Sequence, residues 1–172
     1  MSKHAAVRKQ RRKQTGEDFT PAALVNEILD KLPAEIWKDA SKTWLDPTAG
    51  NGNFLVEVKA RLIAAGHDEL HIFENMIFGV DLMPDNCEEM IERLYGGEGD
   101  IIEKFKYTKG KESKVPAAYR TDGLKYCFKL NGVWVPNIVC ADGLVYDYSF
   151  GRKSDGTEDE RPDPADCWGE AK

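Results

Sequence analysis

Carboxylates and bare glycines recur in this chain where apolar runs stop. Residues 45–54, "LDPTAGNGNF", place Asp46 after a short β-prone approach (Thr43, Trp44, Leu45), follow it with Pro47, and space Gly50 and Gly52 as G-x-G before a helix-forming stretch. "MIFGVDL" ends an apolar run on Asp81 and Leu82, and "NIVCAD" ends another on Asp142. An ionised carboxylate only accepts hydrogen bonds, so it suits hydroxyl and amine donors. Glycines let a ligand approach the main chain and the free N–H groups of the helix that follows. If the three runs are parallel strands, their acids face one crevice beyond the carboxyl ends of the sheet. The chemistry on offer is the holding of a small ligand rich in donors.

The spacing narrows the ligand. A phosphate-cradling loop requires G-x-x-x-x-G-K-[ST], and no lysine follows Gly52 in that way. A dinucleotide fingerprint requires a third glycine where Leu55 stands, and an acid about 20 residues later, whereas Asp81 lies about thirty residues on. A ribose joined to an amino acid end, without a pyrophosphate, fits better, and S-adenosylmethionine is such a ligand.

The elements that must position these groups follow from periodicity. "PAALVNEILDKL" sets Ala23, Leu24, Ile28, Leu29 and Leu32 at helical spacing, with Thr20 as N-cap and Pro21 at the first helical position. "NFLVEVKARLIAAG" aligns Phe54, Leu55, Val58, Leu62 and Ile63 and stops on Gly66, so core packing is the expected role of Phe54 and Leu55. "PDNCEEMIERLYGG" restarts as a helix behind Pro84. Strand, helix, strand, helix is the signature of an α/β fold with a parallel sheet and right-handed crossovers. Residues from about 96 to 116 are rich in glycine and lysine and read as an irregular excursion. Asn131-Gly132 between two β-rich runs signals a hairpin inserted before the third strand.

Length and charge set the frame. The 172 residues suit one domain with a real core. No apolar run of about 18 residues and no basic-then-apolar leader occurs, which points to a soluble, cytoplasmic protein without a membrane span. Cys87, Cys127, Cys140 and Cys167 show no C-x-x-C spacing, so buried or free thiols are expected rather than a metal site. The net charge of −6 is unevenly spread: residues 1–14 carry Lys3, Arg8, Lys9, Arg11, Arg12 and Lys13 without an acid, and residues 151–172 are mostly acidic. The expected organisation is a flexible basic arm (1–14), a folded domain (15–150) and a flexible acidic tail. The arm could follow a DNA backbone through counterion release or be a solvated tail.

"DPTAGNGNF" resembles the cofactor motif D-P-x-x-G-x-G-x-F of adenine-specific DNA methyltransferases. "TGEDFTP" is similar to the segment before that motif in the family, and "GVDLMPDN" and "CADGL" resemble its second and third acid-ended strands. The likeness spans roughly residues 14–147. It implies a Rossmann-like S-adenosylmethionine-dependent methyltransferase fold, here apparently truncated. It implies that Phe19 and Thr20 flank the methionine moiety, with the Thr20 hydroxyl toward its carboxylate. Asp46, Pro47 and Gly50 would lie along the methionine end near the ammonium, and Gly52 would make room for the cofactor. Asp81 would accept from both ribose hydroxyls, Leu82 or Met83 would lie against the adenine ring, and Asp142 would accept from the adenine amino group.

The likeness stops before catalysis. The family's tetrapeptide [DNS]-P-P-[YFW] holds the target amine and stacks on the flipped base, but the sequence contains no Pro-Pro pair. "DPADCW" has Asp163, a lone Pro164 and Trp168 without an apolar strand before them. No catalytic residue is therefore assigned. Two readings follow: a cofactor-binding portion whose catalytic part is missing or belongs to a second chain, or an inactive stand-alone regulatory protein that binds the cofactor. An exposed third strand would favour the first, since an unpaired edge invites association.

Overall fold

The computed structural model describes residues 18–152. The basic arm, "DPADCW" and all of the acidic tail except Gly151 and Arg152 lie outside the described residues. In chain order the elements are α1 (Ala22–Leu29), a 3-10 turn (Ala34–Lys38), β1 (Trp44–Asp46), α2 (Asn53–Ala64), and a short α3 (Glu69–His71) that widens into a π turn (Ile72–Met76). There follow β2 (Ile77–Asp81), α4 (Pro84–Tyr95), β3 (Ile102–Lys106), a 3-10 turn (Ala117–Tyr119), β4 (Leu124–Leu130), β5 (Val133–Trp134) and β6 (Ile138–Ala141).

The strands form one open mixed sheet in the order β1-β2-β6-β4-β3, with β5 paired to β4. β1, β2 and β6 are parallel, Asp46 lying beside Gly79 and Asp81 beside Cys140. β4 runs antiparallel to both β6 and β3. The expectation of an α/β sheet with an inserted hairpin therefore holds at the level of a mixed sheet. Asn131 and Gly132 take positive φ values of 52° and 85°. That geometry lets the two-residue turn follow the twist of the flanking strands and pairs Leu130 with Val133.

Alternation along the central strands separates two cores. Ile138 and Cys140 of β6 and Ile77 of β2 pack with Val25, Leu55, Leu62, Met90 and Leu94 beneath the helices. Val139 and Ala141 of β6 and Phe78 and Val80 of β2 face the other side. There Val115, Tyr119, Tyr146 and Phe150 from the loops cover them. Period-two alternation between two buried faces is what makes β2 and β6 nearly continuous apolar runs.

Three expectations are corrected. Thr20 is not the N-cap of α1: Pro21 occupies that position with extended backbone and no side-chain cap. The apolar positions of this segment are only partly buried. Val25 and Leu29 are buried, while Leu24, Ile28 and Leu32, one turn apart, are 46%, 40% and 36% exposed. Ile63 of α2 is likewise 46% exposed, although Leu55, Val58 and Leu62 are buried as periodicity requires and Phe54 packs partly buried beside them. The excursion between 96 and 116 is not wholly irregular, because it contains β3. Its charged sequence, IEKFK, hides a strand that lies at the sheet edge and buries little. Finally, the third acid-ended strand, β6, is not exposed: β2 and β4 flank it, and the edges are β1 and β3.

Cys87, Cys127 and Cys140 are buried free thiols. No helix among the described residues is long and apolar enough to cross a membrane.

Candidate functional site

β1 and β2 end on their acids, and β6 ends one residue before Asp142. Because the three strands are parallel neighbours, Asp46, Asp81 and Asp142 sit at one end of the sheet. Each first satisfies its own turn: the carboxylate accepts from the N–H two residues on, Thr48 at 3.1 Å, Met83 at 2.8 Å and Leu144 at 3.0 Å. This repeated local cap explains why a short side chain with an acceptor oxygen ends each strand.

Asp81 does more. Its Oδ1 also accepts from Asn86 Nδ2 at 3.1 Å, and its Oδ2 accepts from the Gly50 N–H at 2.9 Å. The second strand thus ties down the glycine turn after the first, and Ala49 N–H donates to Val80 O at 2.8 Å beside it. A carboxylate has about four lone-pair sites, so at most one remains on Asp81 for a ligand. The pairing with both ribose hydroxyls that the resemblance implies meets this competition from the protein's own donors.

Asp46 differs in its electrostatics. Burial pushes its carboxyl above the usual carboxylate range, the Thr48 N–H pulls it back, and the charge of Asp81 raises it further. A cationic group placed there would relieve both burial and repulsion. Cys87 and Cys140 lie under the same strand ends, their thiols directed at Val139 O (3.5 Å) and Leu82 O (3.4 Å). Burial drives the Cys87 thiol up, so it stays neutral.

The glycines make room for the protein's own side chains. Gly50 has a φ of +54°, and a Cβ there would come within 2.8 Å of the Phe19 ring. Gly52 has a φ of +82°, and a Cβ would meet Met90 Cγ at 2.6 Å. The turn can therefore be clasped between Phe19 on one side and α4 on the other only if both positions are bare. Gly52 is also the N-cap of α2, with no side-chain cap, so the first N–H groups of that twelve-residue helix lack the usual side-chain acceptor.

A cavity of about 140 Å³ opens on this helix end, lined among others by Asp18, Phe19, Thr20, Asp46, Gly50 and Asn51. Asn51 is 8% exposed, and its Oδ1 is buried without a partner. Of the residues singled out in the sequence, the structure brings Phe19, Thr20, Asp46 and Gly50 into this lining. Pro47, Gly52, Asp81, Leu82 and Asp142 are not part of it. Gly143 nevertheless approaches Pro47 O closely, a Cβ there reaching it at 3.0 Å, so the loops after β1 and β6 touch. Leu82 is 48% exposed beyond β2. Sequence reasoning missed Asp18, Thr48, Ala49, Asn51 and Asn53. The two asparagines of G-N-G-N were the available signal.

A second, apolar groove of about 240 Å³ runs along the free side of β1 between Trp44, Leu45, Asp46, Phe54, Leu55 and Val58. Asp46 and Phe54 line both spaces. β1 pairs with β2 alone among the described residues, and Leu45 is 48% exposed. Within the described residues no group of three or more His, Cys, Asp or Glu side chains is arranged to hold a metal ion. Comparison with protein-family models, with curated proteins and with solved structures found no match to the chain.

Proposed function

We propose that this chain is the S-adenosylmethionine-binding portion of a DNA adenine methyltransferase, on a Rossmann-like sheet, and that it works with a separate catalytic part. The observation that carries the reading is the convergence of three acid-ended parallel strands on a glycine turn that opens a helix. The residues fit the cofactor's chemistry. The cavity joins the uncapped N-terminus of α2, suited to a carboxylate, with Asp18, Asp46 and the unpartnered Asn51 Oδ1, suited to an ammonium. At about 140 Å³ it is smaller than the 300 Å³ or more usual for whole ligands, which matches the methionine end alone.

In this reading Phe19 and Thr20 cover the methionine moiety and Asp46 faces its positive groups. Asp81 holds the glycine turn, and the ribose lies beside it at the end of β2. Leu82 offers an exposed apolar surface to the adenine, and Asp142 accepts from its amino group. When bound, the cofactor supplies an activated methyl group on a sulfonium. The chain's residues orient it and exclude water from its amino acid end.

The need for a second chain is supported by unpaired surface. Among the described residues β1 presents an open sheet edge beside an apolar groove, and Leu24 and Ile28 of α1 and Leu32 just beyond it are exposed apolar side chains. Such edges accept an added strand. The missing Pro-Pro tetrapeptide favours a second reading, an inactive regulatory protein that binds the same cofactor. Calorimetric titration with S-adenosylmethionine tests what both share: one site per chain is expected, and no binding would end both.

A further inference from the structure

The two asparagines of G-N-G-N reach in different directions, and α4 receives both. Asn51 Nδ2 donates to Glu89 Oε1 at 2.9 Å. Arg93, one turn further along α4, donates from Nη1 to Asn51 O and to Asn53 Oδ1, each at 2.7 Å. Asn53 then donates from Nδ2 to Thr20 O, also at 2.7 Å. The Asn53 carboxamide can satisfy these contacts in one orientation only, since a flip would set its NH2 against the guanidinium and its oxygen against a carbonyl.

We propose that Arg93 and Asn53 are positioning residues that clamp the Phe19–Thr20 segment over the cavity. The inference rests on the cofactor reading for its ligand but not for its mechanism. Pro21, the N-cap of α1, has extended backbone and no side-chain cap. Thr20 O is instead held from α2, and α2's first side chain is held from α4. The relay therefore couples the cover of the cavity to the helix that follows Asp81.

The test uses Asn53→Ala, Asn53→Asp and Arg93→Ala in the full chain. Asn53→Asp keeps an acceptor for Arg93 but loses the donor to Thr20, so it should behave like Asn53→Ala if the clamp matters. Losing one such bond is expected to lower affinity for S-adenosylmethionine about tenfold. Affinity for 5′-methylthioadenosine, which lacks the amino acid, should stay unchanged. A general structural defect would weaken both ligands alike, and equal losses or no loss would overturn the proposal. Hydrogen exchange separates the clamp from the cofactor reading. Amides of the peptide spanning residues 18–25 should exchange about tenfold faster in all three variants, with β6 unaffected. If the wild-type chain binds neither ligand but exchange accelerates, the clamp stands and the cofactor assignment falls. Unchanged exchange sinks the clamp whatever binds.

Discussion

Asp81→Asn is the most informative single change, because it keeps the shape of the side chain and alters only what its oxygens can do. With the amide oxygen in the Oδ1 position, Met83 N–H and Asn86 Nδ2 keep an acceptor, and the new NH2 faces the Gly50 N–H across 2.9 Å. The opposite orientation would set the NH2 against two donors instead, so the first is preferred. A hydrogen bond to a charged group is worth about 1.5–3 kcal/mol and a neutral one about 1 kcal/mol. Losing the Gly50 bond and the charge on the other two should therefore cost about 3 kcal/mol. For a chain of this size that corresponds to a fall in Tm of about 6–12 °C, or a urea midpoint lower by about 1.5 M. Gly50 should lose amide protection while β6 keeps it. The loss appears without any ligand, which separates it from a binding defect. A Tm change below about 2 °C with an unchanged denaturant slope would refute the idea that Asp81 is the tie between the second strand and the glycine turn.

Asp46→Asn should do the reverse. A carboxyl whose folded pKa is raised contributes stability below its unfolded pKa and loses it as pH rises through the folded value. The ligand-free variant is therefore expected to be more stable than wild type at neutral pH, by a margin that shrinks as pH falls below the carboxylate range, while binding S-adenosylmethionine more weakly. Denaturation at two pH values checks the first half and calorimetry the second; a variant less stable at neutral pH would contradict the burial argument. Deleting residues 1–13 should weaken non-specific DNA binding and flatten its salt dependence by up to about one counterion per lost phosphate contact, and an unchanged salt slope would leave the arm a solvated tail. Labelled-methyl transfer to adenine-containing duplex should be silent with this chain alone and appear on mixing with a chain bearing the proline-rich tetrapeptide. Robust transfer by the chain alone would overturn the split-enzyme reading, and silence in both would favour the regulatory one.

The site was legible where one residue type has one physical use, and illegible where contacts are made at a distance along the chain. Strand-ending acids and a positive-φ glycine pair leave marks in a single sequence, because few other residues cap a turn on a carboxylate or pass a main chain so close to a ring. The hairpin at Asn131-Gly132 left its mark for the same reason. β3 did not, since an edge strand can alternate charges without a buried face to betray its period. The apolar spacing of residues 23–32 marked the helix but not its surroundings, because periodicity alone does not say what a face packs against. Leu24, Ile28 and Leu32 stand exposed in the structure, and so does Leu45 on the open side of β1. Both exposed apolar surfaces suit the second chain of the split-enzyme reading. A strand laid along β1 would pass the Asp46 end of the groove, next to the cavity that shares Asp46 and Phe54 with it. In the split-enzyme reading, a catalytic segment entering by that route would arrive beside the ligand rather than across the sheet from it, and the open edge of β1 and the missing Pro-Pro tetrapeptide would then have one explanation instead of two.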